Sequence, residues 1–502
     1  MSIRQTETIG LVACYTLYQN NNHKIMNKIM KRRDFFKSAG VIAAGAMLSP
    51  RLLASESQAS DIFNPEIQQE GDLNDVFPSR SLRADVNKPV TVAILGLGNR
   101  GNVYARYSKK FPHAMKIVAI ADINEARLKS LGDEYDVPKE MRFKSIDEFF
   151  AVPKMCDAVI IATPDNLHYE PAMKALQSGY HMLLEKPMCQ TEKECRDVLE
   201  MTRKTGRIVA LCHVLRYAPY FVALRSAIKS GMIGELVSVQ HLEPIQYAHM
   251  AHSFVRGNWR NSKETTPIIL AKSCHDLDIL RYLIDKSCDT IVADGSIYLF
   301  RPQMALEGTP KRCTDGCPHE KDCPYSAIDI YYRKHHYLKH VVDVWREATD
   351  PEIMEALKNG PYGRCVYHCD NDQPDHYVAN MVFEDGITAS FSMEAFTPYG
   401  GRRTRVMGTR GFIDGDGKQF TVTEFGTLKT YVWNRKIQEI PEYKDSGHGG
   451  GDHALVRDFL EAVAWNDIKR LTSTVDASVE SHVMAFDAEK SRKTGKKVKV
   501  KL

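Results

Sequence analysis

Beyond its first 60 residues the sequence has no run of about 20 apolar residues, so no membrane-spanning helix is expected. It also lacks a large excess of either charge: 67 Lys and Arg against 63 Asp and Glu leave a formal +4 on 502 residues. No basic stripe with interleaved aromatics is present. Nothing therefore points to nucleic acid or an acidic membrane surface as a partner. Internal repeats and low-complexity stretches are missing too, which removes solenoid and array architectures. What remains is an ordinary globular composition, 43% hydrophobic and 26% charged, long enough for two or three domains with sizeable cores.

The chain opens with a targeting segment, residues 1–60. Lys31-Arg-Arg-Asp-Phe-Phe-Lys37 precedes a short apolar run of small residues, Ser38 to Leu48, and then Ala54 to Ala59. That order describes a secretory signal. Arg32-Arg33 followed by Phe35-Phe36-Lys37 resembles a bacterial twin-arginine signal. An exported, periplasmic protein with Met30 as its natural start is the expectation. The alternative is an ordinary basic amphipathic helix on a cytoplasmic protein. Residues 61–88 read as a polar linker.

The most informative stretch lies between Val90 and Asp122. Pro89-Val-Thr-Val-Ala-Ile-Leu-Gly-Leu-Gly-Asn-Arg-Gly101 runs from a strand through Gly96, Gly98 and Gly101 into a helix, and Lys116 to Asp122 supplies a second strand ending in an acid. Gly96 suits a tight turn, Gly98 lets backbone approach a pyrophosphate, and Gly101 lets helix and strand pack closely. The helix N-terminus, at Asn99 and Arg100, offers unpaired N–H groups and a positive dipole end. Asp122 is placed to bond ribose hydroxyls, and its charge would repel a 2′-phosphate, so NAD is expected rather than NADP.

From there short Val/Ile-rich strands alternate with helices: strands 90–95, 116–121, 157–162, 181–184 and 207–211, with helices 100–110, 124–134, 168–178 and 191–205 between them. This rhythm predicts a doubly wound parallel sheet, an α/β Rossmann domain over residues 89–212. Over 213–450 strand-like runs, 291–299 among them, follow one another, predicting an α+β domain with an open, mainly antiparallel sheet. The tail, 451–502, returns to helical spacing and should pack back on the core.

Gly96-Leu-Gly-Asn-Arg-Gly101, Ala162-Thr-Pro-Asp-Asn-Leu-His168, Glu185-Lys-Pro187, Arg216-Tyr-Ala-Pro219, Gly408-Thr-Arg-Gly411 and Ser491-Arg-Lys-Thr-Gly495 together resemble the glucose–fructose oxidoreductase / inositol dehydrogenase / rhizopine-catabolism (Gfo/Idh/MocA) family. The resemblance implies hydride transfer between a sugar or polyol carbon and NAD(P). It also implies that Thr163, Pro164, Asn166 and His168 contact the cofactor at the end of the third strand; His168 could equally cap or open the next helix. Lys186 then becomes the first catalytic candidate. It follows an apolar strand and precedes Pro187 at the carboxyl end of a parallel sheet, where ligands bind. Burial beside a cationic nicotinamide would lower its pKa and fit it to move a hydroxyl proton. Glu185 would orient it or line the nicotinamide pocket.

His275 is the second catalytic candidate, within 268–283, which reads as one helix. The family usually carries an Asp one turn earlier, where this chain has Ala271. Lys272 or Asp276 are the available substitutes, each about 100° around the helix, and Asp278 matches the family's following acid. Arg216, Tyr217 and Lys272 are expected, with His275, on the substrate. Trp259, Arg260 and Asp375-His376-Tyr377 add donors and flat faces suited to hydroxyl-rich rings. The Gly-rich loop before Asp452 either caps a helix through Asp452 or brings His448 or His453 to the site.

Cys313, Cys317, Cys323, Cys365 and Cys369 cluster in an insertion, 301–370. Paired spacings of this kind fit a structural zinc site, with His319 and His368 as further ligands. In an exported protein they fit disulfides, and reduced packing cysteines are the third reading. The spacing does not match the ferredoxin runs of iron–sulfur proteins. The aromatic and basic stretch Tyr331 to Tyr337 would lid the site or form a solvated helix face.

The function expected is an exported NAD-dependent oxidoreductase acting on a sugar, glycoside or polyol, holding its cofactor tightly. The rivals are a glycosidase that oxidises transiently to permit elimination, and a non-catalytic sugar-binding protein. An open sheet face is usually covered, so a homodimer or homotetramer is expected.

Overall fold

The computed structural model describes residues 69–73, 88–342, 347–434 and 446–501. The expected signal, 1–60, and most of the linker lie outside the described residues. Among those that are described, no helix is long and apolar enough to cross a membrane.

A first strand, β1 (Gln69–Asp72), precedes the Rossmann unit. That unit begins with β2 (Val90–Leu95), α1 (Asn99–Lys110), β3 (Met115–Ala121), α2 (Glu125–Glu134) and β4 (Arg142–Phe143). It continues through β5 (Ala158–Ile161), α3 (Tyr169–Gln177), β6 (His181–Leu184), α4 (Glu192–Thr205) and β7 (Val209–Leu211). The strands form one all-parallel sheet in the order β4-β3-β2-β5-β6-β7. Its central strands are buried on both faces, as Ala158–Ile161 are throughout, which is why they read as continuous apolar runs. The helices start where side chains satisfy their free N–H groups. Asn124 accepts from Ala126 and Arg127 at the head of α2, and Thr191 with Glu194 forms a capping box on α4.

The second half begins with α5 (Pro219–Lys229), β8 (Leu236–Pro244), α6 (Cys274–Ile284), β9 (Cys288–Ser296) and α7 (Asp350–Asn359). There follow β10 (His376–Phe383), β11 (Thr388–Glu394), β12 (Arg403–Gly408), β13 (Gly411–Gly415), β14 (Gln419–Glu424) and β15 (Thr430–Asn434). The chain closes with α8 (Gly451–Trp465), α9 (Val475–Thr494) and β16 (Val498–Lys499). Ten strands make one mixed, mainly antiparallel sheet, β1-β15-β14-β13-β12-β8-β11-β10-β9-β16; only β1–β15 and β8–β11 run parallel. The expected α/β Rossmann sheet followed by an α+β half is the fold observed. α8 packs on α1 and β2, while α9 lies against β9, α4 and α6, so the chain end fastens both sheets.

Two local expectations are corrected. The strand expected at 291–299 is β9, which stops at Ser296. Beyond it the N–H groups of Tyr298 and Leu299 turn to the Asp375 carboxylate, at 2.8–3.0 Å, instead of pairing with a strand. The single helix expected over 268–283 is broken. A turn at Ile268–Ala271 ends at Lys272 (φ −120°, ψ −56°), and α6 starts afresh at Cys274. The 100° rotation expected between Lys272 and the Ala271 face therefore does not hold, because no continuous helix links them.

Candidate active site

The glycine turn after β2 behaves as its three glycines require. Gly96 sits at φ +93°, and a Cβ there would lie 2.7 Å from the Ala162 backbone. A Cβ on Gly101 would meet the Gly96 carbonyl at 2.1 Å, while one on Gly98 would meet nothing within 4 Å. Two glycines are thus closed by protein, and the third leaves open space above the turn. Gly98 also begins α1 without any side-chain cap, so the helix N-terminus keeps its N–H groups for a ligand. Asn99 is exposed there. Asp122 accepts from the Leu97 N–H at 2.6 Å and the Asn124 N–H at 2.8 Å, which fixes its carboxylate beside the turn. Its neighbour Ile123 is 88% exposed, a flat apolar surface next to that acid.

Arg100 reaches away from this open space. It donates through Nε to Glu185 (2.5 Å) and through Nη2 to Asp452 (2.9 Å). Glu185 also accepts from Tyr104 and from the Lys186 backbone N–H. Burial opposes ionisation of Glu185, yet Arg100 and Lys186 hold its carboxyl below the ordinary value. Asp452 further lies 3.1 Å from His448 Nδ1. Instead of capping α8, Asp452 links the glycine turn to His448, whose ring centre stands 5.9 Å from that of His275. Thr163 Oγ1 donates to the Leu167 carbonyl, and Pro164 and Asn166 are exposed at the same sheet edge. His168 is buried between the Pro187 carbonyl (2.7 Å) and the Thr163 carbonyl (2.9 Å), joining this turn to that of Lys186.

Lys186 extends from the end of β6 and donates to the Ala271 carbonyl at 2.7 Å, at the break before α6. His275 is buried, and its Nδ1 has no hydrogen-bond partner. Burial first, then the charges of Lys186, His448 and Arg402, hold it well below the ordinary imidazole value, so it is neutral. Lys272 turns inward to Glu243 on β8, 3.3 Å away. Arg402 donates to both Glu243 (2.8 Å) and Asp276 (2.8 and 3.1 Å), and His241 lies 2.9 Å from Asp276. Burial together with the Asp276 carboxylate raises Glu243, although Arg402 opposes it; burial, Arg402 and Lys186 lower Lys272. His249, at the same wall, is pushed down to about 3 by burial and by the Lys272 and Lys186 charges.

Glu243, Arg402 and Asp452 were absent from the expected site. Glu243 carried a signal, because acids rarely occupy the inward positions of a strand and it alternates with buried Val239 and His241. Other expectations are corrected. Arg216 is buried and donates to Asp278 through two bonds of 2.7 Å and to the Thr472 carbonyl; Asp278 also lies 2.5 Å from His213. Tyr217 spends its hydroxyl on Ser473 and on the Thr472 N–H. Arg216, Tyr217 and Asp278 form an internal clamp whose polar atoms are engaged by protein partners. Trp259 donates to Asp165, and Asp375 accepts from Tyr298 and Leu299.

Cys313, Cys317, Cys323, Cys365 and Cys369 are free thiols, which corrects the disulfide reading. Among the described residues, one set of three His, Cys or carboxylate groups places its ligand atoms within 4.8 Å of one another: His213, Cys274 and His482. There His482 is spoken for, with Nδ1 against the Ser478 carbonyl and Nε2 accepting from the Met188 N–H.

Residues 90–213 match the Gfo/Idh/MocA model described as an oxidoreductase family, NAD-binding Rossmann fold. Residues 225–305 match the model of that family's C-terminal alpha/beta domain. YteT of Bacillus subtilis is 27% identical over 368 residues, covering 70% of this chain and 83% of YteT. Myo-inositol 2-dehydrogenase of Thermotoga maritima is 26% identical over 41% of this chain and 58% of its own length, so the chain spans little more than half of that relative. In fold, the chain resembles an oxidoreductase from Agrobacterium radiobacter in complex with NAD+, L-tartaric acid and magnesium. The TM-score is 0.59 at 15% identity, over 82% of this chain and 99% of that one.

Proposed function

Because the chain belongs to the Gfo/Idh/MocA family of NAD-binding oxidoreductases, we propose that this oxidoreductase acts on a hydroxyl-bearing carbon of a sugar, glycoside or polyol. When bound, NAD supplies the hydride acceptor or donor. The residues present fit it: the open space over Gly98, the uncapped head of α1, and Asp122 fixed beside the turn form one continuous cradle. Gly96, Gly98, Asn99 and Gly101 would hold the pyrophosphate by backbone, Asp122 the ribose, and Thr163, Pro164 and Asn166 the nicotinamide end. Arg100 and Glu185 act through the turn and through Lys186 as positioning residues.

The observation that carries this reading is the convergence of Lys186, Lys272 and the neutral His275 at the carboxyl edge of the parallel sheet. Lys186 would bind the reacting oxygen and His275 would take or return its proton. Lys272, tethered to Glu243, adds a second lysine to the same wall. The test is a screen of sugars and polyols for NAD reduction. Wild type should turn over at least one, while Lys186→Ala binds NAD and does not; equal turnover by the two would sink the assignment.

Export rests on the twin-arginine-like segment. Outside the cytoplasm NAD is not replenished, so the enzyme should retain it and recycle it on a second substrate. Cell fractionation, and quantifying NAD released by denaturation, test both points. The exposed Val237, Val292 and Val378 on the ten-stranded sheet offer a surface for a homo-oligomer, tested by light scattering.

A further inference from the structure

Four cysteines from two separate stretches meet around one space. Cys313, Cys317, Cys323 and Cys365 all line a cavity of about 130 Å³, several times the roughly 30 Å³ that a water occupies in the liquid. Cys369 does not line it; its thiol turns to the Cys365 carbonyl.

The sulfurs are too widely spaced for one zinc ion. With Zn–S bonds of about 2.3 Å, tetrahedral sulfurs stand about 3.8 Å apart. Here no three of the sulfurs come within 4.8 Å of one another. His319 and His368, the other expected zinc ligands, face the Glu307 and Thr309 carbonyls. An iron–sulfur cubane differs on both counts. It places one iron against each thiolate, so the sulfurs stand further apart around a cage of several atoms.

The remaining lining suits a cluster whose four thiolates make it anionic. Arg256 is fully buried, and its Nη1 has no partner. Its Nη2 donates to Cys313 Sγ at 3.7 Å, as does the Ala327 N–H at 3.4 Å. Arg312 also lines the cavity and has an unpartnered Nε. Two acids stand on this wall, Glu320, which Arg333 neutralises through two bonds of 2.8 Å, and Asp322. Buried cations and N–H···S bonds are the outer-shell groups that stabilise and tune such clusters.

We propose that Cys313, Cys317, Cys323 and Cys365 bind a [4Fe–4S] cluster, with Arg256 as its buried counter-charge. The four thiols lose their protons on binding and undergo no redox change themselves. The spacing departs from the ferredoxin runs because the fourth ligand comes from a distant segment, so the chain folds around the cluster from two sides. Its role is a brace. Arg256 ends the helical segment that carries His249 and His252, and Tyr337 and Tyr362 stack on His252 at 4.3 and 4.8 Å. The small core under α7 holds these rings apart from the main core.

The test is iron and acid-labile sulfide analysis of the full chain, purified without oxygen, reconstituted with ferric iron, sulfide and dithiothreitol, which supplies the two electrons each cluster needs, and desalted. About four irons and four sulfides per chain are expected, with a visible absorbance that dithionite bleaches and an electron paramagnetic resonance signal in the reduced protein. Cys317→Ser and Cys365→Ser should lose most of the iron, and Cys369→Ser should keep it. Cys317 is half-exposed, so its variant folds even if Cys365→Ser does not. One zinc per chain without sulfide overturns the proposal. So does a reconstituted wild type that retains no iron, or iron that persists unchanged in Cys317→Ser.

Discussion

The nucleotide turn takes its parts from one short run of sequence, Gly96 to Asp122, and fixes them by backbone contacts. The wall facing it draws Lys186, Glu243, Lys272, His275, Arg402 and His448 from separate stretches and fixes them by buried charge. The first is a local device that works wherever a strand meets a helix. The second exists only once both sheets have closed on one another, and its groups are costly to bury unless every partner is in place. Damage to the turn should stay local, and damage to the wall should travel.

The largest expected effect is on chemistry. Lys186→Ala should lower kcat by about 10²- to 10⁴-fold, the usual contribution of a positioned acid or base. NAD affinity should change only a few-fold, as read by fluorescence titration. Glu243→Gln comes next. Removing one partner of a buried ion pair destabilises by up to about 3–5 kcal/mol, so both the melting temperature and kcat should fall. If kcat falls and stability does not, Glu243 acts in the chemistry instead of supporting Lys272. Gly98→Val should behave in the opposite way. No atom lies within 4 Å of a Cβ added there, so folding is kept while NAD binds at least about tenfold more weakly, a change of about 1.4 kcal/mol.

A smaller effect separates the regions by pH. His252 and His482 are lowered to about 3 by burial, His252 also by His340, His249 and Arg256, and His482 by His213. The unfolded chain takes up protons below the ordinary value of 6.5 while the folded chain does not. Stability is therefore complete above pH 6.5 and lost as pH falls toward 3. The slope is roughly 1.4 kcal/mol per pH unit for each such imidazole. Melting scans between pH 7 and 5 should show a pH slope in His482→Gln that is shallower than in wild type by one such proton.

The same contrast explains what was legible in the sequence. The parallel sheet and its glycine turn follow from apolar runs and a spacing that local sterics enforce, so strands and helices fell within a few residues of expectation. The helix at 268–283 read as continuous because its apolar period runs unbroken, and nothing local announces that Lys186 would take the Ala271 carbonyl. Arg216 and Asp278 looked like ligands because each is polar in an apolar setting; that they satisfy one another is a tertiary fact. Glu243 alone among the missed residues had a local mark, an acid on the buried face of β8. The cysteine spacing left zinc, disulfides and packing thiols open, and only the distance between the sulfurs points elsewhere.

The central claim is hydride exchange between a sugar or polyol carbon and NAD at the wall formed by Lys186 and His275. It is tested most directly by incubating the enzyme with a mixture of oxidised sugars and polyols and with NADH deuterated at the nicotinamide, then following deuterium by mass spectrometry. Wild type should place one carbon-bound deuterium in at least one product, and Lys186→Ala none, although that variant still binds NADH. Deuterium in no product, or equal labelling by both proteins, would contradict it.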